Sequence, residues 1–127
     1  KISNIVRRYG WDYFRVKESG IVRDVSKLHD KVISAGGGVV TRQENIDNLK
    51  KNGFIIWLRA SAETLLKRVG TDPNRPPLTN KKTLKEEIKE LLKQRKDLYE
   101  KAADEIIDTD KLEPKAVVDK ILKKLKA

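Results

Sequence analysis

The chain is 127 residues long, room for one domain with a modest core. It has no cysteine and a single histidine, His29, which excludes disulfides, thiolate metal sites and any histidine-built metal centre and leaves chemistry to carboxylates, arginines, lysines and backbone amides. Its 29 basic and 19 acidic residues give a net charge of +10, which admits a nucleic-acid partner, while no apolar run approaches bilayer length and KISNIVRRYG lacks the apolar stretch of a signal peptide.

A short helix is expected first, then an amphipathic helix over Trp11 to Leu28, where Trp11, Phe14, Ile21, Val22, Val25 and Leu28 recur at three- and four-residue intervals. Lys31 to Ala35 reads as a short strand entering Gly36-Gly37-Gly38. Thr41-Arg42-Gln43-Glu44 has the form of a capping box, opening a helix that Gly53 closes. Phe54 to Leu58 is apolar throughout and reads as a strand buried on both faces. Ser61 caps the next helix. Residues 70–82, GTDPNRPPLTNKK, are rich in proline and aperiodic, hence an exposed loop. Thr83-Leu84-Lys85-Glu86 is a second capping box, starting a long helix through Ala102. Asp104 to Asp108 gives a last strand, and Pro114 opens a closing helix with Val117, Val118, Ile121, Leu122 and Leu125 on one face. Strands alternating with helices imply an α/β fold, a parallel sheet with helices on both faces. Only +3 of the net charge falls in residues 81–127, interleaved at helical spacing, the pattern of solvated helix faces.

Charge interrupts two of the apolar stripes. Glu18, flanked by Arg15, sits between Phe14 and Ile21, and Arg95 breaks the run Ile88, Leu91, Leu92, Leu98, Tyr99, Ala102. Arg95 either snorkels to the surface or pairs with an internal acid, or it stands in a cleft awaiting an anion. Isolated buried charges are costly, so two helices that both aim charge inward point to a shared polar cleft. Arg75, between Asn74 and Pro76, reads either as a surface turn residue or as a mobile cation over that cleft. Gly36, Gly37 and Gly38 serve either a tight turn or the close approach of backbone to a ligand.

The segments ISNIVRRYGWDYFRVKE, VISAGGGVV, ASAETLLKRVGTDPNRPPL and KQRKDLYEKAADEIIDTD stand in the order found in shikimate kinase, and the chain resembles that family over nearly its whole length. The most specific elements are Phe14-Arg15-x-x-Glu18, the run Gly36 to Gly38, and the spacing from Arg68 to Arg75 followed by Pro76. The resemblance implies a P-loop nucleoside-monophosphate-kinase-like three-layer sandwich, here lacking its first two strands. It implies one domain over residues 1–127 with a lid loop at 70–82. The activity implied is transfer of the γ-phosphoryl group of ATP to the 3-hydroxyl of shikimate, in aromatic amino-acid biosynthesis, with Mg²⁺. A cytoplasmic monomer without nucleic-acid or membrane partners goes with it.

By the same resemblance Arg15, Gly37 and Arg95 bind shikimate beside Gly36 and Gly38, the guanidinium groups gripping its carboxylate. Glu18 holds a hydroxyl and orients Arg15. Arg75 lies on the lid and stabilises the transferring phosphoryl group. Arg68 covers the adenine ring, and Asp108-Thr109-Asp110 falls where the nucleotide-base loop begins. Two departures, Pro77 after Arg75-Pro76 and Gln94 before Arg95, bear on lid motion and on the support of Arg95.

The family also uses a GxxxxGK[ST] loop after its first strand and an Asp-x-Asp pair after its second; no GxxxxGK[ST] occurs in these residues, and their one Asp-x-Asp, Asp108-Thr109-Asp110, follows the last expected strand rather than the family's second. Gly70-Thr71 follows a helix and has no lysine between, so it does not cradle phosphate in that manner. The expectation is therefore that a βαβ segment of roughly 30 residues or more belongs ahead of Lys1, in keeping with a chain that lacks methionine even at position 1. ATP and Mg²⁺ would rely on it, and without it the chain is expected to be inactive. In the family's sheet the first strand lies between those expected at Lys31 to Ala35 and Phe54 to Leu58, so its absence leaves two open edges. The competing readings are a catalytically inactive homologue or fragment that only binds ligand or a partner, and a nucleic-acid-binding module.

Overall fold

The computed structural model describes residues 1–70 and 83–126. These fall into two compact units, Lys1–Phe54 and a second that holds Ile55–Gly70 and the chain from Thr83 onward.

In the first unit, α1 (Ile2–Tyr9) and α2 (Trp11–Val25) are broken apart by Gly10. Its φ of 89° and ψ of 169° lie in a region essentially reserved for glycine. Ser26 ends α2, its hydroxyl donating to the Val22 carbonyl at 2.6 Å, so the helix stops short of the expected Leu28. Its buried stripe is Ser19, Val22 and Ser26. Ile21, expected on the inner face, is 62% exposed, because small residues at three- and four-residue spacing let α2 approach α3 and the turn before it.

The strand expected at Lys31 to Ala35 does not form. A strand exists through its ladder, and among the described residues none lies beside this segment: the one sheet pairs two other strands, and Val32 is fully exposed. The chain instead enters a 3₁₀ turn, Gly37–Thr41, and then α3, Gln43–Asn52. The first capping box is also absent, since Arg42 is the N-cap without a side-chain bond. Thr41 is committed elsewhere: its hydroxyl donates to the Gly38 carbonyl at 2.6 Å. Gly53 ends α3 as expected. Val22, Val39 and Ile46 form the core with Asn45, which is fully buried and donates to the Val39 carbonyl at 3.1 Å.

The second unit is built on the parallel pair β1 (Ile56–Arg59) and β2 (Glu105–Asp108), with Ile56 opposite Glu105 and Arg59 opposite Asp108. α4 (Ala62–Val69) and α5 (Leu84–Ala102) lie between them in sequence, and α6 (Pro114–Lys126) follows. β1 starts two residues later than expected because Asp104 occupies Ile55: its carboxylate accepts the Ile55 N–H and its own N–H donates to the Ile55 carbonyl, each at 2.7 Å. Nor is β1 buried on both faces, for Phe54 and Leu58 are each 51% exposed; among the described residues only β2 pairs with it. Ser61 and Thr83 cap α4 and α5 as expected, accepting from Thr64 N at 3.2 Å and Glu86 N at 3.1 Å. α5 meets β1 through the stacked rings of Trp57 and Tyr99 at 5.3 Å, and α6 packs on β2. Ile88, Ala102 and Ile107 are the core. Leu98 on α5, and Val118, Leu122 and Leu125 on α6, are exposed rather than buried, since the apolar face of each helix is wider than the surface packed against it. No helix among the described residues is long and apolar enough to cross a membrane.

Candidate functional site

Positions 11, 15 and 18 of one helix lie at i, i+4 and i+7, which puts Trp11, Arg15 and Glu18 on one face of α2. Arg15 donates from Nη1 to Glu18 Oε1 at 2.8 Å, and the two side chains are only 15% and 14% exposed. The Arg15 guanidinium carbon lies 5.2 Å from the Trp11 ring centre and 5.3 Å from that of Phe14. The two rings meet edge to face at 5.6 Å.

Behind the guanidinium is the glycine run. A Cβ built on Gly38 would lie 2.2 Å from both terminal nitrogens of Arg15 and 2.4 Å from Cζ, whereas one on Gly36 would sit 3.5 Å from Glu18 Oε2. Gly38 is glycine because Arg15 occupies the space of its side chain. Gly36 and Gly37 present exposed backbone, and Gly38 is buried. Arg15, Glu18, Gly36 and Gly38 thus lie close together within the first unit. A guanidinium carries five donors, and Glu18 takes one of them here. The arrangement is a fixed, partly sheltered cation beside open backbone, suited to a carboxylate.

The second unit fixes another arginine. Arg68, in the last turn of α4, donates from Nη1 to Thr109 Oγ1 at 2.8 Å and from Nη2 to the Thr109 carbonyl at 2.6 Å. Thr109 is 2% exposed, and its N–H and hydroxyl both donate to the Arg59 carbonyl, at 2.8 and 3.0 Å. Next to it Asp110 accepts the Ser61 N–H at 2.7 Å; that bond, then the hydroxyls of Ser61 and Thr64 and the charge of Arg68, hold its carboxyl below the usual range. Asp108 is held low chiefly by its hydrogen bonds to Arg59, with Lys120 adding, and Arg59 is held high in return. Their second bond, Nη2 to Oδ2, is 2.9 Å.

Arg95 is half-buried on α5, in the second unit. Arg75 lies outside the described residues, as do Pro76 and Pro77. Sequence reasoning missed the Trp11 ring over Arg15 and the contacts of Arg59, Ser61 and Thr109. A signal for the first existed, since Trp11 precedes Arg15 by four residues. Among the described residues no group of three or more Asp, Glu, His or Cys converges to hold a metal ion.

The family model described as shikimate kinase matches residues 1–126. The shikimate kinase of Thermodesulfovibrio yellowstonii is 43% identical over 123 residues, covering 97% of this chain and 70% of its own length. That of Caldicellulosiruptor bescii is 42% identical over 121 residues, with 95% and 69% covered. Among solved structures, shikimate kinase from Acinetobacter baumannii in complex with shikimate superposes with a TM-score of 0.93 at 29% identity, covering 98% of this chain and 69% of that one. Shikimate kinase from Aquifex aeolicus gives 0.80 at 32% identity, with 99% and 72% covered. Both agree with the expected α/β architecture of parallel strands and packed helices.

Proposed function

The chain belongs to the shikimate kinase family, and from that premise we propose how its residues share the work of phosphorylating shikimate. The single observation that carries the reading is the Arg15 guanidinium, bonded to Glu18 at 2.8 Å and seated where a Gly38 side chain would be. Arg15 grips the substrate carboxylate, with the backbone at Gly36 and Gly37 beside it, and Arg95 is assigned to the same substrate on the family resemblance alone. Glu18 orients Arg15 and offers its remaining oxygen to a substrate hydroxyl. Arg68, its plane set by Thr109, covers the adenine of ATP, the phosphoryl donor. Arg75 acts from a lid at residues 70–82 of a single catalytic domain, offsetting charge on the phosphoryl group during transfer to the 3-hydroxyl.

Mg²⁺, the metal of this reading, would supply charge neutralisation on the phosphates; the described residues bring no three Asp, Glu, His or Cys side chains together to hold it. The cytoplasm as location and a monomeric protein belong to the same reading. The test is Arg15→Ala, measured for shikimate and for ATP. A charge-assisted hydrogen bond is worth about 1.5–3 kcal/mol, so shikimate affinity falls about 10- to 150-fold while the KM for ATP stays put. Unchanged shikimate affinity would overturn the assignment of Arg15.

A further inference from the structure

We propose that Trp11 is a positioning residue for substrate binding, acting through Arg15 and conferring affinity for the carboxylate of a small hydroxylated acid. The proposal rests on the reading that Arg15 takes that carboxylate. Gly10, with its φ of 89°, breaks the backbone so that Trp11 begins α2 one turn before Arg15. The indole then faces the guanidinium carbon at 5.2 Å, with Phe14 at 5.3 Å, within the range of a cation–π contact. Glu18 restrains the same group at Nη1, and the Gly38 backbone bounds it on another side.

These contacts are all made within the chain itself. An arginine side chain has several rotatable bonds to order on binding, and a guanidinium already held between an aromatic face and a carboxylate loses less of that freedom. Preorganisation of this kind raises affinity without any contact between Trp11 and the ligand. The indole ring is thereby distinguished from an ordinary packing residue: its effect needs the charge of Arg15 and a π face, and a residue of similar apolar character without that face does not replace it.

The experiment is a double-mutant cycle read by calorimetric titration of shikimate into the intact protein, with steady-state kinetics and Tm for each variant. Trp11→Leu is expected to weaken shikimate binding about three- to tenfold, to raise the KM for shikimate, and to leave kcat and the KM for ATP unchanged. Trp11→Phe keeps a π face and restores most of the affinity. In the Arg15→Ala background, Trp11→Leu is expected to add nothing. If Arg15→Ala weakens binding and Trp11→Leu does not, Trp11 has no positioning role and the assignment of Arg15 stands. An equal loss from Trp11→Leu in both backgrounds shows that Trp11 acts independently of Arg15 and overturns the inference. If Arg15→Ala itself leaves binding unchanged, the assignment of Arg15 falls, and this inference with it.

Discussion

Replacing Gly38 by alanine separates binding from folding. The new Cβ would lie 2.2 Å from Nη1 and Nη2 of Arg15, against the 3.5–4.0 Å of an ordinary heavy-atom contact, so the guanidinium must retreat by about 1.3 Å or more. The moving atoms are the far end of a flexible side chain, and the positive-φ glycines among the described residues are Gly10 and Gly70, so alanine suits the backbone at position 38. Stability should fall by no more than the loss of the Arg15–Glu18 bond, about 1.5–3 kcal/mol, which leaves the fold intact. Retreat of that size breaks the 2.8 Å bond to Glu18 and takes the cation from its place. Loss of a charge-assisted bond, about 1.5–3 kcal/mol, lowers shikimate affinity about 10- to 150-fold. Gly20→Ala is the internal control: its Cβ meets no atom within 4 Å, and affinity should be nearly unchanged. Calorimetric titration and thermal melting of both variants provide the comparison. Equal shikimate affinity in the Gly38 and Gly20 variants would refute the claim that Gly38 makes room for Arg15.

Arg68→Ala is expected to raise the KM for ATP and spare that for shikimate, checked by varying each substrate in turn; a rise confined to shikimate would contradict the assignment. Gly10→Ala meets no atom within 4 Å, so its cost is backbone strain alone, about 1–3 kcal/mol, read by urea unfolding. Asp110 has a carboxyl held below its ordinary 3.8 by the Ser61 N–H. Its contribution to stability is present above that value and is lost as the pH falls through the lower folded value. The Tm gap between the protein and Asp110→Asn should therefore narrow only below about pH 3.8, and a gap already closing between pH 7 and 5 would count against the bond.

Local chemistry was the legible part of the fold. Ser61 and Thr83 cap their helices with residues three positions away, and such caps are written in four-residue windows. Thr41 has the same pattern but bonds backwards to Gly38, because the glycine run folds into a 3₁₀ turn that competes for its hydroxyl. Lys31 to Ala35 carries strand residues, yet pairing depends on a neighbour that its own composition does not supply. Glu18 and Arg15 were legible at i and i+3 as charge on an apolar stripe. The contacts of Arg68 with Thr109 and of Arg59 with Asp108 span 41 and 49 residues, and no local period reports a tertiary bond of that reach.

The two arginines assigned to substrate and nucleotide share a principle. Each is engaged by acceptors from its own unit: Arg15 by Glu18, and Arg68 by the hydroxyl and carbonyl of Thr109. An arginine carries about 2 kcal/mol of rotamer entropy, and folding has already met much of that cost at both positions. Every support described for Arg15 comes from Lys1–Phe54, and every one for Arg68 from the other unit. Changes to one set of supports should therefore leave the other arginine in place, and their effects on the two substrates should add. Thr109→Val combined with Gly38→Ala tests this: the first removes the hydroxyl that Arg68 uses and should raise only the KM for ATP, and the pair should show both losses at their separate sizes. A combined loss well beyond their product would mean that each arginine depends on supports in both units, and the separate assignment of substrate and nucleotide roles would fail.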